Sequence, residues 1–251
     1  MTMENRRGLS QEALKLIACI TMLIDHTGAT LVVRYMQSCA GLNEGMMNLY
    51  YVMRIVGRIA FPIYCFLLVE GAYHTRDPKK YGLRLFIGML LSEIPFDLAF
   101  SFRGRVLFDW SSNSVMMTLL LGFCMIEAMK RTEGFWKAAV ILPFYIATEV
   151  LHTDYSGLGI LIIALFALTR ELPREKLYRA IGLCLLVYPG GRMMIGSVAV
   201  HLEWFAVLAL IPIFCYDGRK LTHSQVVQWE FYLFYPAHIT LLALLEVLIF
   251  G

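Results

Sequence analysis

Long apolar segments that recur along the whole chain constrain its fold more than any other feature of the sequence. Short polar stretches separate them, and 59% of the 251 residues are hydrophobic while only 16% are charged. A helix needs about 20 apolar residues to cross a bilayer, and soluble domains usually carry about 25% charged residues. The sequence therefore predicts an all-α, polytopic integral membrane protein that forms a single domain over residues 1–251. Nine transmembrane helices are predicted, at 12–36, 49–73, 81–101, 114–130, 136–151, 155–170, 178–190, 193–215 and 228–250.

Lysines and arginines support this number of helices because they concentrate in alternate loops. With the N-terminus in the cytoplasm and the C-terminus outside, most of the 22 basic residues fall on the cytoplasmic side, as is typical of short inner loops. Topology thus accounts for the positive charge, which implies no nucleic-acid partner. The segment at 178–190 is short and ends in a Pro-Gly-Gly turn, so a partial or re-entrant span is the alternative there. The six cysteines show no disulfide or metal spacing, and the sequence indicates no particular oligomeric state.

A pair of polar residues interrupts the first apolar segment. Asp25 and His26 lie inside the run from Leu14 to Val33, and at about 1.5 Å per residue His26 falls near the middle of the membrane. An aspartate at that depth costs roughly 2.5 to 3.5 kcal/mol, so such residues usually face a cavity or the protein interior. The two side chains are about 100° apart around the helix. We interpret the pair as part of a functional site, with helix packing as the alternative for His26.

Two further charged pairs lie in the second and third segments, and the members of each pair are one helical turn apart. Arg54 and Arg58 form the first pair, while Glu93 and Asp97 form the second, on either side of Pro95. Arginine stays charged and offers a fork of donors to an anion. The carboxylates are predicted partners of the arginines or of the histidine in the first segment. The alternatives are that Arg54 reaches the outer interface and that Glu93 forms a structural ion pair with Arg58.

Polar residues in the last two segments lie at a similar depth. His201 lies in the eighth predicted helix, and Tyr235 and His238 share one face of the ninth. Because at least four helices contribute polar residues at comparable depth, the sequence predicts a shared polar cavity among them. Three polar residues at a turn are predicted to be solvated outside it: Glu149, His152 and Asp154.

Four stretches of the sequence resemble a known family. They read LKLIACITMLIDHTGA, RIVGRIAFPIYCFLLVEGAYHTRDPKKYGLRL, LLSEIPFDLAF and FYLFYPAHITLL, and they are spread over nearly the full chain. By these stretches the chain is identified as a member of the TraX family, named for the pilin acetylase of conjugative plasmids. That family is similar to a wider group of membrane acyltransferases, which includes the acyltransferase-3 enzymes and the lysosomal heparan N-acetyltransferase.

The resemblance implies an enzyme of the bacterial inner membrane that moves an acetyl group from cytoplasmic acetyl-CoA to an amine or hydroxyl on the outer side. His26 would be its catalytic histidine, acting as a general base or as a transient acyl carrier. Asp25 or Glu93 would fix the tautomer of the imidazole. Arg54 and Arg58 resemble the arginine pair of the wider group, which would stabilise the developing oxyanion or hold a CoA phosphate.

The resemblance also implies a set of partners. The CoA phosphates need basic residues at the cytoplasmic face, and the implied acceptor is a pilin N-terminus, a cell-envelope sugar or another amine, within surrounding membrane lipid and without a metal. Topology alone would also explain these basic residues. A transporter of a small solute and a non-catalytic membrane assembly factor are the alternative functions, because buried His, Glu and Arg also build transport sites. The candidate phosphate ligands are Arg76, Lys79, Lys80 and Arg84.

Overall fold

The computed structural model describes residues 8–39, 44–100, 110–170, 172–173, 181–182, 191–195, 198–222 and 224–250, and it is mostly helical, as predicted. A π-helical segment (Gly28–Val32) joins the first two helices, and a 3₁₀ helix (Leu202–Ala209) precedes the tenth. The α-helices are α1 (Gln11–Thr27), α2 (Val33–Ser38), α3 (Glu44–Gly57), α4 (Ala60–His74), α5 (Pro78–Phe100), α6 (Val115–Met129), α7 (Trp136–Ala139), α8 (Ile141–Val150), α9 (Ser156–Leu168), α10 (Leu210–Phe214) and α11 (Gln225–Phe250). The strands are β1 (Arg192–Ile195) and β2 (Val198–His201).

The first predicted helix is continuous but changes its winding after Thr27, the residue that follows His26. Ser10 begins α1 as an N-cap, because its hydroxyl accepts a hydrogen bond from the backbone N–H of Ala13 at 3.2 Å. The π-helical segment follows α1, and the Thr30 hydroxyl donates to the carbonyl of His26 at 2.7 Å. Such local unwinding occurs often at functional sites. The π-helical segment thus lies directly beside the polar residues of this helix.

The second predicted helix is broken into α3 and α4 at Arg58 and Ile59. Pro62 has no N–H to donate to the carbonyl of Arg58, and a proline ring crowds the carbonyl four residues before it. The N–H of Arg58 is shared between the carbonyls of Arg54 and Ile55, both at 3.2 Å. Gly57 lies directly against α1, where a Cβ would overlap the Asp25 carboxylate. The break and this glycine together bring the arginine pair close to α1.

The start of α1 is joined to the segment that precedes α11. Leu9 donates its N–H to Cys215 at 2.7 Å and accepts from Asp217 at 3.1 Å. Glu12 accepts hydrogen bonds from the N–H groups of two residues in the same segment, and Arg219 holds the pKa of Asp217 below its usual value through a side-chain hydrogen bond. We call this connection the terminal clasp (residues 8–12 with 215–222). It fixes the ends of two helices that line the central cavity.

The apolar core is continuous and draws on six of the long helices. Side chains of α1, α4, α5, α6, α9 and α11 pack into one cluster. Helix α11 packs mainly on α5 and also on α1, while α4 packs on α1 and α9. The bundle therefore surrounds the polar residues of α1 with helices that are distant in the sequence.

The eighth predicted helix, 193–215, is wrong in its first half. The structure has an antiparallel hairpin there, with Arg192 opposite His201, and then the 3₁₀ helix and α10. Two apolar runs containing β-branched residues and separated by Gly-Ser are typical of a hairpin. Hydropathy averaged over the whole segment conceals that pattern. The fifth predicted helix is divided into α7 and α8, and the seventh, 178–190, lies outside the described residues apart from 181–182.

Three helices within the described ranges are long and apolar enough to cross a membrane. They are Gln11–Ser38, Glu44–His74 and Trp229–Phe250, and three shorter apolar helices accompany them. These lengths agree with the thickness of a bilayer. The total of nine spans and the cytoplasmic position of the N-terminus stay predictions.

Candidate active site

A cavity of about 1700 Å³ runs along the first helix, and polar residues from several helices line it. Along that helix its lining extends from Gln11 to Gln37, which corresponds to about 39 Å at the helical rise of 1.5 Å per residue. His26 lies near the middle of this length. The cavity therefore extends along the helix on both sides of His26.

His26 is hydrogen-bonded to a second histidine from the last helix. Its Nδ1 lies 2.7 Å from Nε2 of His238, and the two rings are stacked with centroids 4.9 Å apart. The other nitrogen of His238, Nδ1, lies 2.7 Å from the backbone carbonyl of Phe234. A carbonyl can only accept, so Nδ1 of His238 must carry a proton.

This chain of hydrogen bonds fixes the tautomer of His26. With His238 neutral, its Nε2 has a lone pair and accepts the Nδ1 proton of His26. Nε2 of His26 is then the unprotonated nitrogen, and no described residue forms a hydrogen bond with it. Phe100 and Tyr235 contact the imidazole ring edge-on, with centroids 5.3 and 5.9 Å away. His26 therefore presents a basic nitrogen within the cavity, held in place by His238.

The Asp25 carboxylate pairs with the two arginines and forms no hydrogen bond with the His26 side chain. Its carboxylate accepts from Arg54 at 2.7 Å and from Arg58 at 3.0 and 3.1 Å. Arg58 also lies 3.5 Å from Glu203 and donates Nε to the carbonyl of Arg54 at 3.3 Å. All three guanidinium nitrogens of Arg58 are thus engaged within the protein. The arrangement neutralises buried charge, which is costly when left unpaired.

The predicted roles of Glu93 and Asp97 need correction. Glu93 accepts hydrogen bonds from the backbone N–H and the hydroxyl of Ser114, at 3.2 and 2.7 Å. Arg58 pairs with Asp25, and His26 is hydrogen-bonded to His238. Glu93 therefore neither neutralises the arginines nor orients the imidazole. Asp97 is buried but does not line the cavity. Glu93 thus faces the start of α6.

His201 also lies apart from the cavity. It ends β2, and its ring contacts Trp204 with centroids 5.2 Å apart. Because the eighth segment begins as a hairpin, the predicted position of His201 in the outer half of a transmembrane helix is not realised. Tyr235 does line the cavity, whereas His238 lies behind His26 and is almost fully buried.

Asp154 lines the cavity, contrary to the prediction that it is solvated. Its N–H donates to the carbonyl of Asn113 at 2.8 Å, and its carbonyl accepts from the Thr118 hydroxyl. The next residue, Tyr155, has a positive φ of 63°, a conformation uncommon outside glycine. Its ring stacks on Phe61 and lies 5.8 Å from the guanidinium of Arg58. Sequence reasoning missed this corner because it treated a polar turn as exposed.

Basic side chains gather at the end of the cavity next to the terminal clasp. The Lys15 ammonium lies 4.8 Å from the ring of Phe231, and Arg84 lies 5.7 Å from the ring of Tyr232. Lys79, which the sequence placed with this group, is exposed and does not line the cavity. Lys15 and Lys220 also belong to this group, and sequence reasoning missed them because they are far apart in the chain. We call the group the basic mouth: Lys15, Arg76, Lys80, Arg84 and Lys220.

The other end of the cavity lies near the end of the first helix. Arg34, Gln37 and Tyr50 line it, and Arg34 forms an ion pair with Glu246 at 2.5 Å. Within the described residues, no group of three or more His, Cys, Asp and Glu side chains could hold a metal ion.

Comparison with known proteins gives a family. Residues 10–246 match the family described as "TraX protein". A "Probable fimbrial assembly protein FimC, serogroup H1" from Dichelobacter nodosus is 32% identical over 245 residues, which cover 91% of this chain and 92% of that protein. An uncharacterised protein of Rickettsia prowazekii (strain Madrid E) is 26% identical over 218 residues, covering 84% and 72% of the two chains. No solved structure matches the chain. The family predicted from the four sequence stretches is thus confirmed, and the chain belongs to the TraX family.

Proposed function

We propose that this chain is an acetyltransferase of the bacterial cytoplasmic membrane that transfers an acetyl group from acetyl-CoA to an amine, such as the N-terminus of a pilin. The observation that carries the proposal is the unprotonated Nε2 of His26, halfway along a cavity with two ends. The family and the fimbrial name of one relative support a role connected with pili. The three apolar helices support a place in the membrane.

The proposed chemistry begins at His26. An amine that attacks the thioester carbonyl must lose a proton, and a neutral imidazole is the usual base near neutral pH. Nε2 of His26 takes this proton, and the Nδ1 proton is already directed at His238. The positive charge that forms on His26 is therefore shared along the hydrogen bond to His238. The imidazolium then returns a proton to the departing CoA thiolate.

The basic mouth fits the donor end of the reaction. CoA carries several phosphates, and the basic mouth places five cationic side chains around one end of the cavity. Lysine binds phosphate as a point charge, and arginine does so with two parallel hydrogen bonds. Acetyl-CoA entering there would place its thioester toward His26, and the acceptor would enter from the end near Arg34.

The experiment uses purified protein in lipid nanodiscs with radiolabelled acetyl-CoA. A peptide with a free N-terminal amine and glucosamine serve as acceptors, and label transfer is compared between the wild type and His26→Ala. We expect transfer by the wild type and a loss of at least about 10²-fold in the variant, the usual contribution of a general base. Binding of acetyl-CoA should persist.

His152→Asn is the matched control. His152 is exposed and has a φ of 46°, a conformation that asparagine tolerates, so this variant removes an imidazole outside the cavity. It should transfer label at the wild-type rate. Wild-type protein that binds no acetyl-CoA and labels neither acceptor would overturn the enzyme proposal, and a His26→Ala variant with full transfer would overturn the role of His26.

A further inference from the structure

Tyr235 presents a buried hydroxyl that the fold does not use. The residue is 3% exposed and lines the cavity, and its ring meets that of His26 edge-on at 5.9 Å. Among the described residues its hydroxyl has no hydrogen-bond partner. Buried hydroxyls are usually satisfied, so an unsatisfied one beside a basic imidazole indicates a group that binds a ligand.

The start of helix α6 faces the same point. Val115 and Met116 line the cavity, and the backbone of Val115 lies close to the Tyr235 hydroxyl. Ser114 occupies the N-cap position, but its hydroxyl donates to Glu93 and does not cap the helix. The first N–H groups of a helix have no acceptor within the helix, and its N-terminal end carries partial positive charge. Two kinds of donor thus converge beside His26.

We propose that the Tyr235 hydroxyl and the N-terminus of α6 form an oxyanion hole for the tetrahedral intermediate of acyl transfer. This inference rests on the acetyl transfer proposed above. The bond between the acceptor nitrogen and the acetyl carbon forms while the carbonyl electron pair moves onto oxygen. The Tyr235 O–H and the Val115 N–H donate to that oxygen. When the intermediate collapses, the pair returns, the carbon–sulfur bond breaks and the thiolate leaves with the proton held by His26.

Arg58 is not free to take this role. Each guanidinium nitrogen of Arg58 is already engaged, by Asp25, Glu203 or the carbonyl of Arg54. Donors that stabilise an oxyanion act best when they are fixed before the reaction and have no competing partner. The Tyr235 hydroxyl meets both conditions, because its ring is held within the bundle and no described residue accepts its proton.

The test is Tyr235→Phe, assayed with radiolabelled acetyl-CoA and the same two acceptors. Removing one oxyanion-hole donor typically lowers kcat by about 10² to 10³-fold, and we expect a loss in this range. The Kd for acetyl-CoA should stay within about twofold, because the oxyanion exists only during reaction. The control is Tyr145→Phe, which removes a half-buried hydroxyl outside the cavity and should leave kcat unchanged.

Each outcome bears on a different statement. A Tyr235→Phe protein that binds acetyl-CoA normally and turns over within about threefold of the wild type overturns the oxyanion hole and leaves the proposed function intact. Wild-type protein that transfers no acetyl group overturns the proposed function and this inference with it. If Tyr235→Phe does not fold, trifluorotyrosine is placed at position 235, which keeps the ring and hydroxyl but changes the strength of the donor. An unchanged kcat in that protein then refutes the inference.

Discussion

The hydrogen bond between His26 and His238 allows a quantitative prediction. In His238→Leu the side chain keeps a similar volume but offers no acceptor to Nδ1 of His26. The lost contact is a 2.7 Å bond between buried rings, and leaving one partner of a buried bond unsatisfied costs about 1–3 kcal/mol. Part of that cost appears as free rotation of the His26 ring and loss of its reactive tautomer. Since about 1.4 kcal/mol corresponds to a factor of ten in rate, kcat should fall severalfold, and by no more than roughly 150-fold.

His238→Gln separates this explanation from a loss of packing. The amide of glutamine reaches about as far as Nε2 of histidine, and its oxygen can accept the Nδ1 proton of His26. We expect this variant to recover most of the rate lost in His238→Leu, with the same thermal unfolding midpoint in both. Label transfer from acetyl-CoA at saturating acceptor measures kcat for the three proteins. Equal rates in wild type and His238→Leu would refute the tautomer argument, and equal losses in the two variants would show that the acceptor atom is not what matters.

Three further predictions concern the surroundings of the site. Gly57→Ala should destabilise the protein by about 1–3 kcal/mol through overpacking and abolish transfer, because the new Cβ pushes α3 away from α1; an unchanged unfolding midpoint would contradict the close approach. Lys15→Ala with Lys220→Ala should weaken acetyl-CoA binding about 5- to 30-fold if each phosphate contact is worth about 0.5–1 kcal/mol, whereas Lys79→Ala should leave titration calorimetry unaltered. Asp217→Asn should lower the unfolding midpoint at neutral pH, where the carboxylate stabilises the folded state. That difference should vanish as the pH falls below the lowered pKa of this group, and a difference that persists at pH 2 would refute its electrostatic origin.

The sequence predicted the helices well where a long apolar run showed only a helical pattern. It predicted them less well where an apolar run also contained the pattern of a β-hairpin. The first, third and last helices follow from hydropathy, whereas the break within 49–73 was not predicted, although the stereochemistry of Pro62 explains it. The hairpin at β1 and β2 was missed because its residues are as apolar as a membrane helix. Asp154 was missed because a turn between helices is usually solvated, whereas hydrogen bonds to Asn113 and Thr118 hold this turn against the cavity.

The adjacency of Asp25 and His26 has a physical explanation in the structure. Successive side chains of a helix point about 100° apart, so two adjacent residues of α1 can contact two different helices. Asp25 turns to α3 and pairs with Arg54 and Arg58, and Glu203 supplies a second counter-charge to Arg58. His26 turns to α11, where a neutral imidazole is its partner. A carboxylate in that position would hold the proton of the imidazolium more tightly and make its return to the leaving thiolate harder. The carboxylate of Asp25 is thus paired with the arginines, and among the described residues the two histidines have only each other as side-chain hydrogen-bond partners. This arrangement suits a base that must both take up a proton and return it.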